Sequence, residues 1–459
     1  MPPEAAGSSL QPRLSTFDTS MVVVSLVIGI GIFRTPSIVA RTTGGTVAFL
    51  LAWAAGALVS LVGALVFAEI GSRYPRAGGF YKVVAHCWHP MPAFLLNWSQ
   101  VLMQGAGAAG VAVIGSEYLL RLLVPGAPAG ALPAAAAARG STPVVVAAVL
   151  IGGLVALNAV GIRAGARTQN LLSLGKVVLI GALAAAGLAM APAPDGTAAA
   201  STGAGPAGPG WFAALVAVFY TYGGYQNTMN LAGDVRSTRR GLPRAIGFGM
   251  LLVAALYLLI NAAYVKALGP RGVAASPLVA ADLARAALGP LGERFVSLAI
   301  FLSAAGFVNA TILHVPRSYL AMAQDRLLPR ALGRLDATTQ AQRPGLAFFA
   351  VTALVPLLFL GSFERLLGYV MFTDAVSLAV VASCLFVLRR RGEGDRAEGT
   401  WTMSGYPWLP LFFIGVVLGI AGDVLVRQTP LAVAGMAVVA AGVPLYVLMR
   451  RSLSGEAEA

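Results

Sequence analysis

Charge is scarce in this chain, and the side chains that perform chemistry in water are scarcer still. Only 11% of its 459 residues are charged, while 58% are hydrophobic. A soluble domain of this size needs far more polar surface, so the apolar excess must face lipid. There are two cysteines, Cys87 and Cys384, and three histidines. Their spacing makes neither a metal site nor a disulfide framework, and the cysteines read as unpaired thiols. A paired-aspartate motif, a Ser–His or Ser–Lys set and a His-rich metal signature are all missing, which argues against an intramembrane enzyme. The repeated filter or charge rings of a channel are missing too. No catalytic residue, metal or cofactor is therefore expected. Residues 1–19 lack a basic stretch followed by a short apolar core and a small-residue cleavage site, so no signal peptide is expected.

Acidic residues are the rarer sign, 18 against 32 basic ones, for a formal charge of +14. A nucleic-acid partner would need those basic residues clustered on one surface with aromatics between them. Here they sit in short gaps between apolar runs, so no nucleic-acid binding is expected and the lipid bilayer is the partner.

What the sequence does have is long apolar runs. A span needs about 20 mostly apolar residues to cross roughly 30 Å of hydrocarbon. Runs near 20–40, 46–70, 93–122, 143–162, 170–190, 211–233, 244–266, 293–322, 345–361, 366–388, 408–426 and 430–449 satisfy this. They are too long, and too little alternating, for a membrane barrel. The expected fold is thus all-α, an integral membrane bundle of about twelve transmembrane helices.

The basic residues set the orientation. With a cytoplasmic N-terminus, inside loops carry Arg73, Arg76, Lys82, Arg163, Arg167, Arg236, Arg239, Arg240, Arg244, Arg326, Arg330, Arg334, Arg343 and Arg389–Arg391. The outside loops are poorer, apart from the 266–294 segment with Lys266, Arg271, Arg285 and Arg294. Both termini are expected in the cytoplasm, with 1–19 and 450–459 as cytoplasmic segments of a multi-pass cell (inner or plasma) membrane protein. The Pro/Gly/Ala-rich stretch 192–210 has no basic residue and reads as an external loop.

Two spans are interrupted near mid-membrane. The first breaks at Val27, Ile28, Gly29, Ile30, Gly31, Ile32 and Phe33, and the sixth from Tyr220 through Gly223 and Gly224 to Asn227. Paired glycines inside a helix cost about 1 kcal/mol each relative to alanine. Close helix packing is one account of such pairs. Two breaks five spans apart favour another: an odd offset makes the second copy of a five-helix unit enter from the opposite side, as in an inverted repeat with substrate at the midplane. Unwound backbone at that depth must line a cavity or meet a ligand. New helix N-termini suit a carboxylate, and new C-termini, around Val27–Ile28 and Phe219–Tyr220, suit an ammonium group. An α-amino acid carries both.

At these residues the chain resembles the amino acid–polyamine–organocation (APC) superfamily, nearest to L-type and bacterial amino acid permeases. The segments VIGIGIFRTP (27–36), AEIGSRYPRAGGFYKVV (68–84), YGGYQNTMNLAGDVRSTRRGLPRAI (222–246) and RSYLAMAQDRLLP (317–329) carry the match, which covers about 17 to 390. The resemblance implies a five-plus-five inverted repeat of the leucine-transporter-like fold, with repeats at 20–190 and 211–388. Two further helices at 408–449 fit only by count. It implies alternating access, with Gly29, Ile30 and Gly31 presenting N–H groups to the substrate carboxylate, Tyr220 capping the substrate and Gly223 making room for it. Ile30 stands where the family often has serine, so a hydroxyl is lost there. The acidic pair common after the sixth span is here Gly233-Asp234.

Lys176 lies about 10 Å into the fifth span at 1.5 Å per residue. From geometry alone it snorkels to the interface. The resemblance implies instead an ammonium in the volume that sodium occupies in sodium-coupled relatives, bonded to first-span carbonyls. Transport would then be sodium-independent, either proton-coupled or exchanging. Arg34, one residue past the first break, reads as substrate contact or as an arginine in the external vestibule. Gln100 and Gln104 share one face of the third span and line the pathway or tie helices together. His314, beside Pro316, either titrates or bonds freed backbone. Asp374 and Asp423 read as packing polars, and Glu69, Arg73 and Arg76 as solvated charges at a helix end or as partners in conformation-dependent ion pairs. With no acidic residue in the broken spans, the expected substrates are neutral amino acids; the alternative is a cationic amino acid or polyamine antiporter of the same fold. The sequence says nothing of a partner subunit.

Overall fold

A computed structural model describes residues 15–75, 79–123, 142–160, 165–192, 209–231, 235, 238–334, 342–360, 363–395, 397–427 and 429–457. Among them every regular element is helical. The helices are α1 (Thr16–Val27), α2 (Gly31–Thr43), α3 (Thr46–Arg73), α4 (Gly79–Cys87), α5 (Pro90–Leu123), α6 (Thr142–Val160) and α7 (Gly165–Ala189). There follow α8 (Pro209–Thr221), a 3-10 helix (Tyr225–Leu231), α9 (Thr238–Ala275), α10 (Val279–Gln324), a 3-10 turn (Arg330–Gly333), α11 (Arg343–Leu360), α12 (Phe363–Arg390), α13 (Trp408–Arg427) and α14 (Thr429–Ala457).

Seven helices among the described residues are long and apolar enough to cross a bilayer, and the bent pair α1–α2 makes an eighth candidate. The chain is therefore a multi-pass membrane protein. Outward faces carry exposed apolar side chains such as Leu58, Val149, Leu157, Phe295, Phe359 and Val426, which water would not tolerate in such number but lipid does. Two of the expected runs that fall short of the apolar test do so for visible reasons, and those in α7 and α11 are apolar but shorter. α5 carries Asn97, Ser99, Gln100 and Gln104, and α8 is cut short by its break. α9 and α10 each contain a Gly–Pro hinge: Gly269 (φ 69°) precedes Pro270, and Gly289 (φ 71°) precedes Pro290. Glycine takes the left-handed terminal position and proline starts the next helix, so short helices cap one end of the bundle inside the basic 266–294 segment.

Most of the ion pairs among the described residues lie at the two ends. At one end Glu69, fully buried, accepts from Arg73 Nε at 2.7 Å, from Arg389 Nε and Nη2 at 2.7 and 2.8 Å, and from the Met403 amide at 2.9 Å. Arg73 also donates to Asp395 at 2.6 Å. Glu69 and Arg73 are thus not the solvated helix-end charges that the sequence suggests; Arg76 lies outside the described residues. At the other end Arg121 bridges Glu293 (2.5 Å) and Asp282 (2.7 Å), and Arg34 reaches Glu117 (3.4 Å) and the Pro277 carbonyl (2.8 Å). Ser37 donates to the Ser276 carbonyl, joining α2 to the same cap. Buried ion pairs hold only when their remaining polar atoms are satisfied, and here several elements share each carboxylate.

Candidate functional site

The first break is short. α1 stops at Val27 and α2 begins at Gly31, with a 43° bend across Ile28–Ile30. The Ile28 and Gly29 amides turn back to the Val24 and Val27 carbonyls at 2.8 and 2.7 Å. Two side chains from distant helices take the carbonyls at the end of α1. Tyr257 of α9 donates its hydroxyl to Val27 O at 3.1 Å, and Lys176 of α7 places Nζ 3.3 Å from Ile28 O. On the other side of the break the first turn of α2 begins with no side-chain cap. The Phe33 amide donates to Ile30 O at 2.9 Å, while those of Gly31 and Ile32 find no acceptor among the described residues and carry the positive end of a thirteen-residue helix.

The second break is wider and built differently. α8 ends at Thr221, Tyr222–Gly224 form a turn, and the chain resumes as a seven-residue 3-10 helix. Tyr222 N donates to Val218 O (3.1 Å), Gly223 N to Tyr220 O (3.0 Å) and Asn227 N to Gly224 O (3.0 Å). Gly224 N donates to Gln226 Oε1 at 2.8 Å. The Phe219 and Thr221 carbonyls at the C-terminus of α8 accept no backbone amide among the described residues. Gly224 adopts φ +118°, and an added β-carbon there would lie 2.2 Å from the Leu26 carbonyl oxygen. The two breaks thus touch backbone to backbone, which only glycine allows. Thr221 and Thr35 join their hydroxyls at 2.8 Å across the same seam.

Both breaks open on one cavity of about 210 Å³. Of the sequence-predicted residues, Val27, Gly29, Ile30, Gly31, Tyr220, Gly223, Gly224, Gln100 and Gln104 line it. Ile28 lends its carbonyl to Lys176 instead, and Ile32 is buried elsewhere in the core. Phe219 packs against Phe413, ring centroids 6.3 Å apart. Lys176 is buried behind the first break, not on the cavity wall. Arg34 lies off the cavity in the end network. The His314 side chain and Gly233-Asp234 lie outside what is described.

The structure adds lining residues that sequence reasoning passed over: Thr35, Thr221, Gln226 and Asn227 around the breaks, Phe307 and Thr311 from α10, and Asp374 from α12. Gln100 Nε2 donates to Asp374 Oδ1 at 3.0 Å. An ionisable residue alone in an apolar run was the available signal for Asp374. Asp423, its companion in the sequence reading, pairs with Arg427 at 2.6 Å. No cluster of three or more metal-ligating side chains occurs among the described residues.

The family model described as amino acid permease matches residues 14–442. The serine/threonine exchanger SteT of Bacillus subtilis is 26% identical over 97% of this chain and 98% of its own length. The b(0,+)-type amino acid transporter 1 of Mus musculus is 25% identical over 84% of this chain and 78% of its own. The large neutral amino acids transporter small subunit 2 of Homo sapiens is 25% identical over 96% and 81%. The chain belongs to the amino acid permease family, and it is a transporter rather than an enzyme.

Proposed function

We propose that this permease binds a free α-amino acid between its two breaks and moves it across the plasma membrane by alternating access. The carboxylate meets the N–H groups that open α2, and the ammonium meets the carbonyls that close α8. The observation carrying this reading is that one cavity receives the N-terminus of α2, with the Gly31 and Ile32 amides open, and the C-terminus of α8, with the Phe219 and Thr221 carbonyls open, among the described residues. Charges of opposite sign on one carbon satisfy both.

Twelve spans surround the site in this reading: α1 with α2, α3, α5, α6, α7, α8 with its 3-10 helix, and α9 through α14. They form two inverted five-span repeats, 20–190 and 211–388, followed by two helices in 408–449. The basic gaps favour both termini in the cytoplasm. Neutral side chains suit a cavity whose broken helices bring no charge, and two of the relatives are named for serine, threonine and large neutral amino acids. Lys176 at the Ile28 carbonyl supports transport without sodium, by proton coupling or exchange.

Substrates then need both α-groups unmodified. Methyl esters and N-acetyl derivatives of a transported amino acid are expected to leave its uptake into proteoliposomes unaffected. Competition by either derivative equal to that of the parent amino acid overturns the backbone-recognition reading.

A further inference from the structure

We infer that Asp374 and Gln100 form a side-chain subsite that selects amino acids bearing a hydroxyl over their apolar isosteres. The inference rests on reading the cavity as an α-amino acid site. Asp374 is 8% exposed and is the one charged side chain among the described residues that line the cavity. Gln100 satisfies Oδ1, and Oδ2 accepts no hydrogen bond from the described residues. Among the described residues no arginine or lysine pairs with this carboxylate, unlike Glu69 and Glu293, each held by arginines at the ends of the bundle.

A carboxylate removed from water with one oxygen unanswered is costly. A substrate hydroxyl supplies the missing donor. Valine, which has the shape of threonine without the hydroxyl, displaces water from the cavity and leaves Oδ2 unanswered. Sites built to bond a hydroxyl reject the isostere lacking it far more strongly than apolar pockets reject an added one. Gln100 then has a positioning role. Its amide fixes the carboxylate plane and leaves the second oxygen for the ligand. A lysine-type ammonium is the rival donor, because charge-assisted bonds are about twice as strong as neutral ones, and the lysine arm of the test decides between them.

The test is competition for uptake by three pairs of amino acids: threonine and valine, serine and alanine, lysine and norleucine. Threonine is expected to outcompete valine by about tenfold or more, and serine to outcompete alanine. Asp374→Ala brings the threonine-to-valine ratio to within about twofold, while Gln100→Ala, which keeps the carboxylate, retains a preference for threonine. Because the readout is a ratio, loss of expression does not mimic it. Equal competition by threonine and valine in the wild type overturns the inference even if Asp374→Ala fails to fold. So does a ratio unchanged in that variant, and so does lysine outcompeting threonine. Failure of all six to compete strikes the α-amino acid reading itself, whereas valine and alanine competing as well as their partners strikes only the subsite.

Discussion

The two breaks look alike in sequence and are held by different means. Their amides are bonded in the same pattern, Phe33 N to Ile30 O at the first matching Asn227 N to Gly224 O at the second. Their carbonyls differ: side chains from α7 and α9 take those of Ile28 and Val27 at the first, while those of Phe219 and Thr221 at the second accept no backbone amide among the described residues. A glycine pair interrupts a helix but does not determine which loose end remains available; that is settled by what packs beside it. In the proposed reading this makes the second break the one that meets the ammonium. The following segments reinforce it, since thirteen residues of α-helix carry a larger dipole than seven residues of 3-10 helix.

The largest predicted effect tests whether the breaks are mechanically unequal. Alanine at Gly224 must hold φ +118° and push its β-carbon into the Leu26 carbonyl. Strain of this kind costs about 3 kcal/mol or more, so Gly224→Ala is expected to lower the thermal midpoint sharply and abolish uptake. At Gly31 the new β-carbon meets only the Thr221 side chain, at 3.1 and 3.2 Å, and the cost is nearer about 1 kcal/mol. At Gly29 nothing approaches closer than 4.0 Å, and folding should be near normal. Melting curves for the three variants should fall in that order. Gly29→Ala as damaging as Gly224→Ala would erase the contrast.

How much of this was legible beforehand divides along physical lines. Apolar runs and glycine pairs are local signals, so the helical character and the positions of both breaks could be read directly. The end left open at each break could not, because Lys176 and Tyr257 are 148 and 230 residues from the carbonyls they take. Nor could the facing of individual residues. Ile32 and Phe219 sit beside cavity residues in sequence yet turn into the core. Glu69 reads as a solvated charge at a helix end until Arg389, 320 residues on, is brought to it. Asp374 reads as a packing polar until α5 and α12 place it opposite Gln100 on the cavity wall.

The next effect concerns how the first break is held. Lys176 and Asp374 each lie eleven residues past the start of their helices (165 to 176, 363 to 374). In the proposed inverted-repeat reading those helices would correspond, with a cation behind the first break in one and an anion on the cavity wall in the other. Lys176→Ala removes the charged donor from Ile28 O in a buried setting, and a charge-assisted bond is worth about twice a neutral one. Uptake is expected to fall more than about tenfold, equivalent to about 1.4 kcal/mol. Wild-type uptake should be unchanged when choline replaces sodium. Either a clear sodium requirement or full activity in the alanine variant would remove Lys176 from this role.

The smallest effect asks whether the first break needs both of its clamps. Tyr257→Phe deletes one hydroxyl and nothing else. The ring stays wedged between Trp53, 6.2 Å away and nearly perpendicular, and Tyr222, 5.0 Å away. Packing is therefore kept, and the change isolates the 3.1 Å bond to Val27 O. A neutral hydrogen bond contributes about 1 kcal/mol, which is about a fivefold change in an equilibrium. The Val27 carbonyl keeps the Gly29 amide at 2.7 Å, so the variant removes one of its two donors and loosens the break without freeing that oxygen. Uptake should drop by about fivefold, less than for Lys176→Ala, and discrimination against N-acetyl substrates should survive because the α8 carbonyls are untouched. A larger loss than Lys176→Ala would make the hydroxyl, not the ammonium, the main restraint on the break. No loss at all would mean that Ile28 O alone sets which end stays open.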